Sequence, residues 1–160
     1  MEGMKVLSEN KKAYFNYQIL EKFEAGISLI GQEVKSIKTR GLNLAGSYVV
    51  LKGPAKGRHP EVFWIGARIS PYQPKNIPQD YNPERSRKLL LKKSEIDYLI
   101  GKTKQKGLTL IPLRIYTKNG KIKLEFGVAQ GKKKFNKREL IKKREVVRDI
   151  QRVLKGGEKF

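Results

Sequence analysis

Residues 24–41 read EAGISLIGQEVKSIKTRG, and the apolar period changes half-way along. Ile19, Phe23, Ile27 and Leu29 stand at odd positions, the every-second-residue pattern of a strand with one buried face. Gly26 and Gly31 interrupt it, and glycine inside a strand marks a bulge or a tight bend. Beyond Gly31 the spacing lengthens. Val34, Ile37 and the stem of Lys38 lie three to four apart, as on a helical turn, and Gly41 suits the position just past a helix end. The other side of that helix is expected to show Glu33, Lys35, Ser36 and Arg40 to solvent. A curled strand therefore feeds a short helix whose outer face is basic and carries a carboxylate.

Downstream, SYVVLK (47–52) and EVFWIGARIS (61–70) are β-rich runs on either side of the turn cluster GPAKGRHP (53–60), which carries Arg58 and the single histidine, His59. The proline-dense stretch SPYQPKNIPQDYNP (70–83) reads as a long surface connection. Ser94 to Gly101 reads as a helix with a serine N-cap. Leu110, Ile115, Ile122, Leu124 and Phe126 flank Asn119-Gly120, a type I′ hairpin signal. Met1 to Asn10 reads as a loosely held polar lead. These features predict a mainly β chain of five or six short antiparallel strands with short helices. A small closed antiparallel barrel of the OB type is expected over residues 1–130, with a β-sandwich as the alternative.

At Gly131 the composition turns to Lys and Arg with no strand pattern, which sets off residues 131–160 as a basic C-terminal tail. Leu140, Val147, Ile150 and Leu154 recur at helical spacing, while Arg144, Arg148 and Arg152 form a second row four residues apart. Like charges at that spacing oppose an isolated helix, and a row of phosphates reverses the sign. The expectation is a tail disordered when free and helical when bound.

The chain of 160 residues has 36 Lys+Arg against 15 Asp+Glu, a net charge of +21, and a pI near 10.2. With 7 Tyr and 6 Phe, that charge points to a polyanion, of which nucleic acid is the usual one. With no cysteine, disulfides and thiolate metal sites are excluded. One histidine and scattered carboxylates offer no metal site or triad, the P-loop spacing is absent, and no enzyme activity or cofactor is expected. No apolar run reaches membrane-span length and MEGMKVLSENKKA lacks the apolar core of a signal peptide, so a cytoplasmic chain is expected.

Several segments join cations to flat or apolar side chains. Asn10, Lys11 and Lys12 precede Tyr14, Phe15 and Tyr17, an interleaving that suits base stacking beside phosphates. Tyr17 belongs with the buried strand face, whereas Tyr14 and Phe15 fit either role. Arg85, Arg87, Lys88, Lys92 and Lys93 surround Leu89 to Leu91 as a basic collar on an apolar anchor. Glu24 and Glu33 could accept from base amino groups or hydroxyls, or form surface ion pairs of small worth.

EAG-x-x-L-x-G-x-EVKS at 24–36, NKKA at 10–13, R-x-RKLLL at 85–91 and GKKKFNKR at 131–138 together resemble the small protein B family, the SsrA-binding proteins that partner transfer-messenger RNA. The resemblance runs from about Asn10 to Leu154. It departs at Phe15, where the family often has histidine, at Lys92, often a polar amide, at Phe135 for His or Tyr, and at Asn136 for Asp. It implies that an OB-like barrel grips the tRNA-like domain of transfer-messenger RNA through Asn10, Lys11, Lys12, Phe15, Glu24, Glu33, Lys35, Ser36, Lys38, Arg87, Lys88, Leu90 and Lys92. It implies further that the tail enters the empty mRNA channel and decoding centre of the small ribosomal subunit. There the residues in play are Gly131, Lys132, Lys133, Lys134, Phe135, Asn136, Lys137, Arg138, Arg144, Arg148, Arg152, Val153 and Leu154. A monomer is expected. The competing function is a generic single-strand-binding OB protein or a ribosomal protein, which needs neither the ordered collar nor an aromatic residue inside a lysine run.

Overall fold

The computed structural model describes residues 4–53, 60–72, 81–132, 144–146 and 148. Its elements in chain order are β1 (Lys5–Glu9), α1 (Lys11–Asn16), β2 (Tyr17–Ile27), α2 (Gly31–Arg40), β3 (Tyr48–Lys52), β4 (Glu61–Ile65), β5 (Arg87–Leu90), α3 (Lys93–Thr103), β6 (Leu108–Lys118) and β7 (Lys121–Gly131). All strand pairs are antiparallel. The hydrogen-bonded order is β1-β6-β3-β4-β5-β2-β7, and β7 also pairs with β6, so the pairing returns to β6. The β3–β6 link is the weakest, a single register pair of Val49 and Leu110. The expected hairpin at Asn119-Gly120 is present. Asn119 has φ 52° and Gly120 φ 76°, the two positive values that a type I′ turn requires.

Two bulges explain why simple alternation misplaces some side chains. In β2 the register against β7 shifts between Ile19 and Glu21, and in β6 it shifts between Pro112 and Arg114. An extra residue turns every later side chain to the other face. Phe23 therefore packs on the main core with Ala25, Trp64, Leu124 and Phe126, whereas Ile19 joins a second, smaller core of Ala13, Ile111, Leu113 and Ala129 under α1. Ile19 and Phe23 do not share a face, contrary to their common parity. Proline suits the β6 bulge because it has no N–H to give the ladder. Gly127 lies opposite the β2 bulge, where an added Cβ would stand 2.8 Å from Ile19 Cγ2 and 3.0 Å from Glu21 O. Gly26, by contrast, is regularly paired with Leu90 and Lys123 and marks no bulge.

The described part of the N-terminal lead is not loosely held, since β1 pairs residues 5–9 with residues 114–117 of β6. Asn10 then ties that edge to α1. It is buried, its N–H donates to Leu113 O at 2.7 Å, its amide donates to Pro112 O at 2.9 Å, and its Oδ1 accepts Ala13 N–H at 3.2 Å. A buried Asn with its hydrogen bonds made is a structural cap. The third helix begins one residue before Ser94. Lys92 is its N-cap residue, Glu95 accepts the Lys92 N–H at 3.1 Å, and the helix runs through Gly101 to Thr103.

Candidate nucleic-acid interface

Glu33 lies on the first turn of α2, and the turn faces inward. Its side chain and that of Arg87 are both 0% exposed. Arg87 Nε donates to Glu33 Oε2 at 2.8 Å, and its other nitrogens reach Ala67 O at 2.9 Å and Pro83 O at 2.8 Å. Arg85 donates to the other Glu33 oxygen and to Ser28 O, while Ile30 N–H donates to Glu33 Oε1 at 3.0 Å. Burial alone would raise the Glu33 carboxyl. The bonds from Ile30, Arg85 and Arg87 outweigh it and hold the carboxyl below its ordinary range. Ser36, one turn on, is buried as well. Glu33 and Ser36 are thus not solvent-facing, and Arg87 is no part of an exposed collar. A β-strand alternates its faces, so Arg87 and Leu89 point in while Lys88 and Leu90 point out.

The outer face of β2, β7 and β6 carries a different arrangement. Glu24 stands directly opposite Glu125 across the β2–β7 ladder. Like charges at that spacing repel, and cations from β6 answer both. Arg114 donates to Glu125 Oε2 at 3.1 Å, its guanidinium lies 5.1 Å from the Tyr116 ring centroid, and Lys118 Nζ is 3.5 Å from Glu24 Oε2. The Tyr116 hydroxyl donates to the same Glu24 oxygen. That bond, with Lys118 behind it, lowers the Glu24 carboxyl. Burial and the bond to Glu24 raise the Tyr116 hydroxyl, so it stays a donor. The Glu24 side chain remains 38% exposed, free to take a second partner.

A groove of about 340 Å³ adjoins this lattice, lined by Gly26, Ile27, Leu29, Val34, Leu90 and residues 120–123. Leu90 is 56% exposed and stacks over Gly26, where a Cβ would meet Leu90 Cβ at 3.4 Å and Lys123 Nζ at 3.7 Å. Glycine there lets an apolar side chain and an ammonium approach the same spot of backbone. Lys35, Lys38, Lys88 and Lys92 are exposed elsewhere on the surface, Lys88 within 3.8 Å of Glu61.

Lys11 and Lys12 are exposed on α1, and Phe15 is half-buried, neither in the first strand nor in either core cluster. Gly131 ends β7. Lys132 donates its ammonium to Tyr14 O at 2.9 Å and its N–H to Asn16 O at 3.0 Å, which fastens the start of the tail beneath α1. Of the other tail residues, Arg144 and Arg148 are helical and exposed. Lys133, Lys134, Phe135, Asn136, Lys137, Arg138, Arg152, Val153 and Leu154 lie outside the described residues, as do Arg58 and His59. Sequence reasoning missed Tyr116, Lys118, Lys121 and Lys123. The three lysines had a signal, because they are the polar alternates of the same β6–β7 hairpin whose apolar alternates were read, whereas Tyr116 is buried and acts through its hydroxyl on Glu24.

Among the described residues no group of three or more His, Cys, Asp or Glu could hold a metal, and no helix is long and apolar enough to cross a membrane. The family described as "SmpB protein" matches residues 7–156. The chain belongs to the SmpB family. Within it, an SsrA-binding protein of Trichodesmium erythraeum is 47% identical over 96% of this chain and 95% of its own length. An SsrA-binding protein of Magnetococcus marinus is 48% identical over 94% and 96%. A solved structure described as "tmRNA-SmpB: a journey to the center of the bacterial ribosome" has 41% sequence identity and a TM-score of 0.61, covering 79% of this chain and 85% of that one. The SmpB signature at 24–36 thus divides by burial: Glu33 and Ser36 hold α2 in place, while Glu24 and Lys35 face outward.

Proposed function

We propose that this protein is a non-enzymatic RNA-binding factor of trans-translation. It binds the tRNA-like domain of transfer-messenger RNA and carries it to stalled ribosomes. The observation that carries this is the outer face on which Glu24, Leu90 and Lys123 adjoin Gly26. It combines a hydrogen-bond acceptor, an apolar contact and a cation, the set needed for splayed loop bases and 2′-hydroxyls rather than for phosphate alone. SsrA-binding relatives matched along nearly the whole chain support it.

In this reading the returning sheet is a closed OB-type barrel spanning residues 1–130. Lys11, Lys12, Lys35, Lys38, Lys88, Lys92, Lys121 and Lys123 supply its salt-dependent attraction. Outside its helical residues 144–146 and 148, the tail of 131–160 is disordered in the free protein, and it becomes helical throughout in the empty mRNA channel and decoding centre of the small ribosomal subunit. The protein acts as a monomer in the cytoplasm and needs no cofactor. Asn10, Glu33, Ser36 and Arg87 serve by holding the binding elements in place, because their side chains are buried.

The test compares the full chain with a truncation before Gly131, measuring binding to a transfer-messenger RNA transcript and rescue of stalled ribosomes in parallel. RNA binding is expected to survive truncation, weakened by no more than about tenfold, and rescue to be lost. The logarithm of affinity is expected to fall with the logarithm of salt by roughly 0.7 to 0.9 per neutralised phosphate. Loss of both activities would defeat the division of labour. Equal competition by unstructured RNA of the same length would favour a generic OB-fold single-strand binder instead.

A further inference from the structure

The two basic instruments of this chain meet in one place. Lys11, Lys12 and Phe15 of α1, with Arg144, Glu145 and Arg148 of the tail, line a cleft of about 520 Å³. The Arg144 guanidinium lies 5.2 Å from the centroid of the Phe15 ring. A guanidinium that stacks through its flat face keeps the N–H donors at its edge available for an oxyanion. Phe15 is therefore a platform for an arginine, with that side of the ring already in use.

The charge of the cleft is unbalanced. Four cationic side chains line it, and Glu145 is the one carboxylate among them. Among the described residues, none of the four cations is in an ion pair. Left alone, α1 and the tail segment repel across the cleft even as the ring contact draws them together. An anion set between them changes repulsion into attraction from both sides. Arg144 and Arg148 stand four residues apart in the sequence, each helical, and the adjacent Lys11 and Lys12 line the same space. Cations spread in this way suit a chain of phosphates better than one small ion.

We propose that this cleft is a composite phosphodiester-binding site, in which Lys11 and Lys12 of α1 and Arg144 and Arg148 of the tail clasp an RNA backbone between them. The proposal rests on the RNA-binding function above and adds to it a joint site for barrel and tail. Linkage makes the effect reciprocal: RNA in the cleft holds the tail segment against α1, and a docked tail segment tightens RNA binding.

The test uses the full chain. The double variants Lys11→Ala/Lys12→Ala and Arg144→Ala/Arg148→Ala are each expected to weaken binding of a transfer-messenger RNA transcript about three- to tenfold and to flatten the salt slope by roughly 1.5, two phosphates' worth. The quadruple variant is expected to lose less than the product of the two losses, since either half alone leaves the clasp open. The chain has no cysteine, so Val146→Cys, which is 57% exposed and outside the cleft lining, takes a single fluorophore. Its anisotropy is expected to rise on RNA addition and to rise less with Phe15→Ala. The same losses read with small ribosomal subunits in place of the transcript would put the clasped backbone on ribosomal RNA and equally support the site.

If the arginine pair leaves affinity and slope unchanged with both partners while the full chain still binds RNA, the composite site is wrong and the RNA-binding function stands. A full chain that binds neither partner sinks both. Losses that multiply without coupling also overturn the clasp. Inorganic pyrophosphate raising the anisotropy as far as RNA does would reduce the cleft to an indiscriminate anion site and overturn the backbone assignment.

Discussion

Glu33 and Glu24 come from one stretch of chain, each has cations beside it, and each has its carboxyl held below the ordinary value. What separates them is water. Glu33 sits on the inner side of α2 with Arg87, both fully buried, and every oxygen has a donor. Glu24 sits on the outer side of β2, where Tyr116 and Lys118 reach one oxygen and solvent reaches the rest. In a low-dielectric interior a broken pair leaves a charge that nothing else can satisfy. At the surface, water or an incoming partner takes the vacated place at little cost. The first glutamate is fitted to hold a fold and the second to exchange partners.

The largest effect is expected where that contrast is sharpest. Glu33→Ala leaves Arg87 charged, buried and short of its main partner, and is expected to cost about 3–5 kcal/mol, read as a drop in the urea midpoint at unchanged slope. Replacing both groups, as Glu33→Leu/Arg87→Met, removes the uncompensated charge. It is expected to recover part of that loss, though Ala67 O and Pro83 O then lose their donor. A Glu33→Ala variant as stable as the parent would mean that the buried pair does not anchor α2.

Acid probes the same pair without mutation. Its carboxyl titrates below 4.5 when folded and near the ordinary value when unfolded, so the unfolded chain takes up the proton first. The stabilisation is then complete above about pH 5 and is lost as pH falls through the lower folded value. Urea midpoints measured from pH 7 down to pH 3 are expected to fall steeply in the parent and less steeply in Glu33→Leu/Arg87→Met. Parallel profiles would place the acid sensitivity elsewhere.

Much of this was open to reading from the chain. The hairpin at Asn119-Gly120, the helix closed by Gly41 and the β3–β4 pair follow from local turn chemistry and apolar period, both of which act over a few residues. The errors share one cause. Whether Arg87 points in or out depends on a partner 54 residues away, and no local pattern separates a charged side chain that is paired in the core from one that is solvated. A helix face rich in Glu, Lys and Ser looks solvent-facing until the second element that covers it is known. The bulge after Ile19 was hidden for a related reason, because the crowding that calls for Gly127 arises only between strands. The outward side chains of the candidate interface were half legible. Leu90 and Glu24 stood out through the family resemblance, while Lys123 passed as strand filler, and the buried Tyr116 that supports Glu24 from beneath gave no sign of that role.

Arg85 lies between the two extremes. Its side chain is 33% exposed, and it shares Glu33 with a better-buried arginine. Arg85→Ala leaves Arg87 and the Ile30 N–H on the carboxylate, so a loss of roughly 1–2 kcal/mol is expected, well below that of Glu33→Ala. Equal losses would mean that the exposed arginine carries the pair and that burial is not the deciding variable.

The smallest effect on stability is expected at Glu24, and it carries the other half of the contrast. Glu24→Gln keeps size and one acceptor but removes the charge that Tyr116 and Lys118 face, and should change stability by less than about 1 kcal/mol. Its effect belongs in RNA recognition. A carboxylate that accepts from bases or hydroxyls neutralises no phosphate. The variant should therefore bind transfer-messenger RNA more weakly at every salt concentration while keeping the parent's salt slope. Lys123→Ala, on the neighbouring strand, should do the reverse and flatten the slope by about 0.7–0.9. Titrations of both variants at four or five salt concentrations separate the two roles. A Glu24→Gln variant that gains affinity would show the carboxylate repelling RNA and only balancing its neighbours. Glu24 would then belong with Glu33 as a structural charge, and the distinction drawn from burial would fail at its exposed end.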